Sequence, residues 1–538
     1  MVIGLDFDNT IASYKSLFQE VCLDIDLIDE TWNGTKKELR ELIRQTPNGE
    51  KTWMRIQGKV YGEFMHRADL IYGVAIFLIK CKTRNIPVYI VSHKTEYGHF
   101  DEKKIPLREE ALNWMDKKNL FNKEYSPINK EDVFFTSSRE EKVEKIDKLG
   151  CTYFIDDLIE VFEEPKFPKD VDKILFSSDK ENQKNGLKVF DNWTDINEFI
   201  LDGYSNKDLI SFANLLGIRN PKSVTPVEGR GNSQVYKVRT SNKEYAMKLY
   251  PDTSLDSRPR LETEFRALEF LQSKGVKNIP KPEAKNLILN AGLYSWIDGN
   301  KISNISLKEI LECVSFVKKL KDIKTLDSHD LNYASEACLS GKTLINQINM
   351  RLEKLDLVSK SEPALEEFLN KFFSPLLGQI KKEFLPLWPL NSLDKDLEKK
   401  YLIPSPSDFG IHNTIRDQEN NIIFIDFDYF GWDDPVKLAS DFYWHPAMNL
   451  KIEHREFWLC SLKDMFKDTD SFFENRLNAA MPLYALRWIL IILNEFILKD
   501  QKRRQHAKST QEYNWEQIKH FQLNKAIDLT SSLKKYIT

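Results

Sequence analysis

Residues 402–435 read LIPSPSDFGIHNTIRDQENNIIFIDFDYFGWDDP, and two spacings within them decide how the second half of the chain is read. Asp408 and Asn413 stand five apart on a loop, and Asp426 follows after one short apolar strand. Carboxylate and amide oxygens arranged in this way suit Mg²⁺ and phosphate, because a hard cation takes oxygen ligands and neutralises phosphoryl charge. Upstream, VEGRGNSQVYKV joins two strands through Gly229 and Gly231, whose missing side chains let backbone N–H groups approach phosphates. YAMKLY puts Lys248 in the middle of the following strand, and Glu264, in ETEFRALEFL, lies on the next helix where it can pair with that lysine. A glycine turn alone says little, since hairpins use glycine routinely.

Taken together, Lys248, Glu264, Asp408, Asn413 and Asp426 resemble the aminoglycoside phosphotransferase and choline kinase group, over about residue 203 to the end of the chain. The resemblance implies a bilobal, protein-kinase-like α+β domain at 203–538, with an N-lobe at about 222–300 and a C-lobe at about 301–538. It implies ATP or another NTP as phosphoryl donor, Mg²⁺, and a small alcohol as acceptor. By the same resemblance Asp408 orients or deprotonates the acceptor hydroxyl, and Asn413 and Asp426 ligate metal. Gly229, Gly231, Lys248 and Glu264 hold ATP, and Trp296, in LYSWIDG, stands at the hinge to the adenine pocket. GWDDPVKLASDF resembles the group's GDPxxDLA segment. One departure matters: where the group writes His-Gly-Asp, this chain has Pro406-Ser407-Asp408, so the loop must be braced differently. An inactive, nucleotide-binding regulator therefore stays open as the alternative. Trp432, Tyr443, Trp444 and His445 are read as core aromatics before acceptor-pocket residues, and His412 as a spacer. Asp434 and Asp441 are read as structural, and Asp428 is unassigned.

The first 200 residues have another rhythm. Short apolar runs, VIGLDFD, VYIVSH, DVFFTS, YFIDD and KILFS, alternate with helical stretches, the mark of βαβ units and a parallel sheet. A polar, helix-rich insertion at about 13–68 interrupts them. Asp6 and Asp8 close the first run, Ser92 the second and Asp156-Asp157 the fourth, and Lys142 lies in REEKVEKIDKLG. Ligands bind open α/β sheets at the carboxyl ends of the strands. Phosphoryl transfer there needs a carboxylate nucleophile, a proton donor, groups that hold phosphate, and a cation. In order and type these residues resemble the haloacid dehalogenase superfamily: DxDxT, then Ser/Thr, Lys and DD. The resemblance implies a Rossmann-like phosphatase domain at 1–202 whose insertion is a helical cap. Asp6 would be the nucleophile and Asp8 the acid/base, with Ser92 and Lys142 binding phosphate. Asp6, the Asp8 main-chain carbonyl and Asp156 would form the Mg²⁺ site, with Asp157 as a further candidate; Lys145 ranks behind Lys142. A cap favours small substrates over macromolecules.

Bulk properties restrict the remaining choices. At 538 residues the chain exceeds one core. With 78 basic and 82 acidic residues its net charge is -4, so no nucleic-acid partner is expected. SGKT at 340–343 lacks the first glycine of a P-loop, which would fall at Glu336, and reads as a helix start. Nucleic-acid end processing is accordingly the weaker alternative. The N-terminal residues read as a buried strand and not a signal peptide. The apolar segment 483–498, broken by Arg487, Asn494 and Glu495, reads as a core helix without membrane insertion. Six cysteines without a CxxC pair signal neither zinc nor disulfides, and a cytoplasmic location is expected. The combined expectation is a bifunctional phosphatase and kinase acting on a small phosphorylated metabolite and a small alcohol, with envelope polysaccharide precursor metabolism as the setting.

Overall fold

The computed structural model describes residues 1–101, 103–179, 187–227, 233–251, 256–323, 331–498, 500–501 and 514–538. The chain divides into two compact units, Met1–Arg219 and Asn220–Thr538.

In the first unit six strands form one parallel sheet, in the order Val133–Thr136, Val88–His93, Ile3–Leu5, Tyr153–Asp156, Asp172–Phe176, Lys188–Phe190. The five apolar runs read from the sequence supply all but the last, whose three residues are too short to announce themselves. Leu5 pairs with Ile90 on one side and Ile155 on the other, so Asp6, Ser92 and Asp156 emerge at the same end of the sheet. Residues 13–68 carry the helices Leu17–Asp24, Lys36–Arg44 and Gly49–Tyr61. The chain leaves and re-enters the sheet through a short antiparallel pair, Ala12↔Leu70 and Ser13↔Asp69, which clamps the neck of the insertion. Within it, Phe18 stacks on Trp53 at 5.1 Å and meets Tyr61 edge-on at 5.8 Å, joining the first and third helices through aromatic burial. Thr35 and Glu38 form a capping box that starts the second helix.

The helix Asn206–Leu215, expected to open the second domain, belongs to the first unit, so the division falls after Arg219 and not after residue 202. The reason is a buried ion pair. Asp208 is fully buried, caps its own helix through Ser205, and accepts Arg84 Nε at 3.2 and 3.3 Å from the helix Val74–Thr83 and its C-cap.

The second unit begins with a five-stranded antiparallel sheet, ordered Pro282–Asn286, Ala291–Ser295, Glu244–Leu249, Gln234–Arg239, Ser223–Pro226, with the helix Arg260–Ser273 following its third strand in sequence. Beyond residue 301 it is mostly helical, with short ribbons that hold the loop quoted at the outset: Ile403–Ser405 against Gly431–Asp433, and Thr414–Asp417 against Ile422–Phe424. The helical stretch Phe473–Phe496 is long and apolar enough to cross a membrane, yet 78% of its most apolar window is buried. Inside it Arg476 pairs with Asp434 and Asp470, and Arg487 with Asp441 and Glu336, the arrangement of a core helix. Ser340 caps the helix Gly341–Ser359 by accepting Thr343 N–H, as expected of SGKT.

Arg84→Ala would leave Asp208 buried with only its own cap as partner, costing about 3 kcal/mol. Hydrogen exchange on peptides spanning 206–215 is expected to show that loss of protection; a change below about 0.5 kcal/mol would contradict the role given to the pair.

Candidate active sites

At the C-terminal end of the parallel sheet the chain turns sharply after Phe7. Ile11 N and Ala12 N both bond Phe7 O, and Asn9 takes a left-handed φ of 56°, which Asn tolerates in turns. The turn points Asp6 and Asp8 to different partners. Buried Lys142 donates to Asp6 Oδ1 and Asp156 Oδ2, both at 2.6 Å. Asp8 instead accepts Lys94 Nζ on its two oxygens at 2.9 and 2.8 Å, and the Tyr14 hydroxyl as well. Asn9 Nδ2 holds Asp157 at 3.1 Å. Ser92 is buried at the end of the neighbouring strand. Lys145, by contrast, lies 3.6 Å from the centroid of the Phe134 ring and makes no bond to the carboxylates. Sequence reasoning missed Lys94 and Tyr14; Lys94 follows Ser92 by two residues, and that proximity was the available signal.

The charges here do not balance. Asp6, Asp156 and Asp157 offer oxygens that all lie within 4.8 Å of one another, and among the described residues Lys142 is the one ammonium bonded to them. Burial, then repulsion from Asp6, pushes Asp156 up to about 7. Burial, then Asp6 and Asp156, pushes Asp157 up to about 8. Burial opposes the charge on Lys142, but Asp6 and Asp156 outweigh it and raise its pKa. A set of hard oxygen donors with surplus negative charge fits a cation such as Mg²⁺.

In the second unit Lys248 plays the same part. Its Nζ donates to Glu264 Oε2 at 2.6 Å and to Asp426 Oδ1 at 2.7 Å. Burial works against its charge, but Asp426 and Glu264 prevail and raise its pKa well above the ordinary value. Glu264 is fixed in turn by Tyr250 OH and Phe427 N–H. Asp428 is buried against Arg260, which Asp256 and Tyr429 also hold; burial, then Asp426, pushes Asp428 up to about 7. Ile425 N–H bonds Asn413 O at 3.0 Å, bringing the loop amide beside Asp426. Asn413 Nδ2 in turn bonds Asp408 O at 3.0 Å. Trp296 Nε1 is buried without a hydrogen-bond partner among the described residues. Gly229 and Gly231 lie outside the described residues.

The loop has a brace in place of histidine. Ser407, at φ 66°, donates its N–H to Ser405 Oγ, while its own Oγ accepts Lys437 Nζ at 2.7 Å. Lys437 is buried between Asp433 at 3.3 Å and Asp441 at 3.1 Å. Below the loop, Phe409 stacks with Phe316 and Phe424 at 5.7 and 5.4 Å. Trp432, Tyr443 and Trp444 are core residues, and Asp434 caps the helix Pro435–Trp444.

His412 and His445, one read as a spacer and the other as core, both reach Asp408. Their rings stack at 3.8 Å and their Nε2 atoms lie 3.1 and 3.3 Å from Asp408 Oδ1. Ala447 N–H donates to His445 Nδ1, which places the His445 proton on Nε2, facing the carboxylate. The cluster is thus internally hydrogen-bonded. Burial raises Asp408, but the bonds from His412 and His445 outweigh it and hold Asp408 well below the usual carboxylate range.

Residues 223–448 match the model of the phosphotransferase enzyme family. That segment contains the five-stranded sheet, the Lys248–Glu264–Asp426 cluster and the Asp408 loop. Among solved structures, spectinomycin phosphotransferase in complex with ADP and spectinomycin is similar at 12% identity, over 60% of this chain and 99% of that one, with a TM-score of 0.40. The ethanolamine kinase of Plasmodium vivax is similar at 14% identity, over 63% and 95%, with a TM-score of 0.40. The choline kinase of Streptococcus pneumoniae is similar at 14%, over 60% and 98%, with a TM-score of 0.38. No curated protein matches the chain.

The raised carboxylates of the first unit set a pH dependence. A folded-state pKa above the ordinary 3.8 means that the fold holds the proton more tightly than the unfolded chain. Stability is therefore lost as pH rises from about 4 through the folded values of about 7 and about 8. In EDTA the first unit is expected to lose at least about 1 kcal/mol between pH 5 and pH 8.5, measured by urea titration with pulse proteolysis. Saturating Mg²⁺ should restore it and Asp157→Asn should flatten the slope; a flat profile in EDTA would contradict the charge imbalance.

Proposed function

We propose that the chain is a bifunctional small-molecule enzyme: an ATP-dependent kinase in the second unit and a Mg²⁺-dependent phosphatase of the haloacid dehalogenase type in the first. The observation that carries the kinase half is the placement of Lys248, Glu264 and Asp426 in one ion-pair cluster, within a segment matched by the phosphotransferase model. Lys248 is positioned to hold ATP phosphates, with Glu264 fixing its ammonium. Asn413 and Asp426 would hold Mg²⁺, which supplies charge neutralisation of the phosphoryl group. Asp408 accepts two imidazole bonds on Oδ1, which leaves Oδ2 to orient the acceptor hydroxyl. The low pKa of Asp408 makes it a positioning group more than a strong base.

In the first unit Asp6 is read as the nucleophile, attacking phosphorus while the ester oxygen leaves with a proton from Asp8. Water then hydrolyses the aspartyl phosphate, and Asp8 takes its proton. Asp8 is held by Lys94 and Tyr14, so those two residues set where its carboxyl group points. Lys142 and Ser92 are read as phosphate-binding, and Asp6, Asp156 and Asp157 as the side chains that hold Mg²⁺. The acceptor and the phosphoester are read as small metabolites of one pathway, with envelope polysaccharide precursors as the proposed setting.

Two variants separate the halves. Asp408→Ala is expected to cut acceptor-dependent ADP formation, across a panel of small alcohols, by at least about 100-fold. Asp6→Asn is expected to abolish phosphate release from p-nitrophenyl phosphate in Mg²⁺. Wild type that forms ADP with no acceptor dependence would sink the kinase reading, and undiminished hydrolysis by Asp6→Asn would sink the phosphatase reading.

A further inference from the structure

The wall that the insertion presents toward Asp8 is aromatic and ends in two cations. Contacts run outward from the carboxylate: Tyr14 donates to Asp8, and its ring meets Tyr61 edge-on at 4.8 Å. Tyr61 meets Phe18 edge-on at 5.8 Å, and Lys36 Nζ sits 4.1 Å over the Phe18 ring. Lys94 Nζ closes the inner end, 5.1 Å over Tyr61. Lys36 opens the helix Lys36–Arg44, and Arg40 follows at the i+4 position on the same face.

The inner cations are matched, Lys142 by Asp6 and Asp156, and Lys94 by Asp8. The outer ones are different. Burial opposes the charge on Lys36; Asp157 and Asp8 attract it and Arg40 repels it, so Lys36 feels the crevice carboxylates and its fellow cation together. Arg40 is half-buried, and its Nε, shielded from solvent, has no hydrogen-bond partner among the described residues. A buried guanidinium N–H without an acceptor is costly, and an incoming oxyanion would remove that cost.

We propose that Lys36 and Arg40 form a subsite for a second oxyanion, a carboxylate or a further phosphate, on the phosphorylated ligand of this crevice, with the partly exposed Tyr61 between the two anionic ends and the buried Phe18 ring backing Lys36. This deepens the phosphatase reading above and rests on it for the placement of the first phosphate. It assigns the ligand to phosphoesters with an anionic group at each end, in preference to neutral or cationic alcohol phosphates. Lys36 and Arg40 act in recognition and do not touch the reacting phosphorus.

The test compares 3-phosphoglycerate and glycerol 1,3-bisphosphate with glycerol 3-phosphate as substrates of the full chain in Mg²⁺. A charge-assisted contact of this kind predicts a preference in kcat/KM of at least about tenfold for the doubly anionic esters, carried by KM. Lys36→Gln and Arg40→Gln should each reduce that preference at least about threefold, and Lys36→Arg should retain it. A preference confined to one arm identifies the second group as carboxylate or phosphate. Calorimetric titration of 3-phosphonopropionate against ethylphosphonate reads the subsite without turnover. Tighter binding of 3-phosphonopropionate that Lys36→Gln abolishes, with no Asp6-dependent hydrolysis of any ester, supports the subsite and removes the phosphatase reading. Asp6-dependent hydrolysis without preference among the esters, a preference that neither substitution moves, or equal binding of the two phosphonates overturns the subsite.

Discussion

Among the described residues a buried lysine held between two carboxylates recurs three times, and each instance fixes a part of the fold on which the proposed chemistry depends. Lys142 lies between Asp6 and Asp156, Lys248 between Glu264 and Asp426, and Lys437 between Asp433 and Asp441. A buried carboxylate is tolerated only when paired, and removing one partner of such a set costs several kcal/mol. The ammoniums of Lys142 and Lys248 therefore draw elements distant in sequence to a common point, whereas Lys437 is held by carboxylates four residues away on either side. What distinguishes the three is the charge left over. Around Lys437, Arg487 also reaches Asp441, and the further anion that Arg487 meets, Glu336, is paired with Arg351 as well, so cations match anions and the cluster is a brace. Around Lys142, Asp157 adds a third carboxylate, and around Lys248, Asp426 and Glu264 share one ammonium while Asp428 is taken by Arg260. Surplus negative charge remains at the two places proposed to bind metal and phosphate.

The brace at Lys437 explains how the Asp408 loop keeps its shape. Ser407 occupies a left-handed conformation that an L-residue adopts at a cost, and the Lys437–Ser407 and Ser405–Ser407 bonds hold it there. The stacked Phe409, Phe316 and Phe424 rings support the loop from the apolar side. Two histidines from elsewhere then fix Asp408 itself, where position 406 holds proline.

Much of this was legible in the sequence because it is local. Apolar runs ending in carboxylates gave the strands of the parallel sheet, and the spacing of Lys248, Glu264, Asp408, Asn413 and Asp426 foreshadowed a cluster whose Lys248–Glu264 and Lys248–Asp426 bonds are present. What escaped depends on tertiary approach. Lys94 and Tyr14 reach Asp8 from different elements, Lys36 comes from the insertion, and His445 comes from a helix end that lies far from Asp408 in sequence. The helix Asn206–Leu215 is amphipathic whichever unit it serves, so its place in the first unit, where the Arg84–Asp208 pair helps hold it, was not legible in its own residues. Asp433 and Asp441 stand four residues either side of Lys437, so that pairing is local, whereas the contact of Lys437 with Ser407 comes from 30 residues away.

The proposed function requires two separate carboxylate centres for a divalent cation, the second completed by nucleotide. Electron paramagnetic resonance of Mn²⁺ binding to the full chain, with and without a non-hydrolysable ATP analogue, tests it most directly. The account predicts one site without nucleotide that Asp156→Asn removes, and a second that appears only with the analogue and that Asp426→Asn removes. A single site, or either substitution abolishing both, would contradict it.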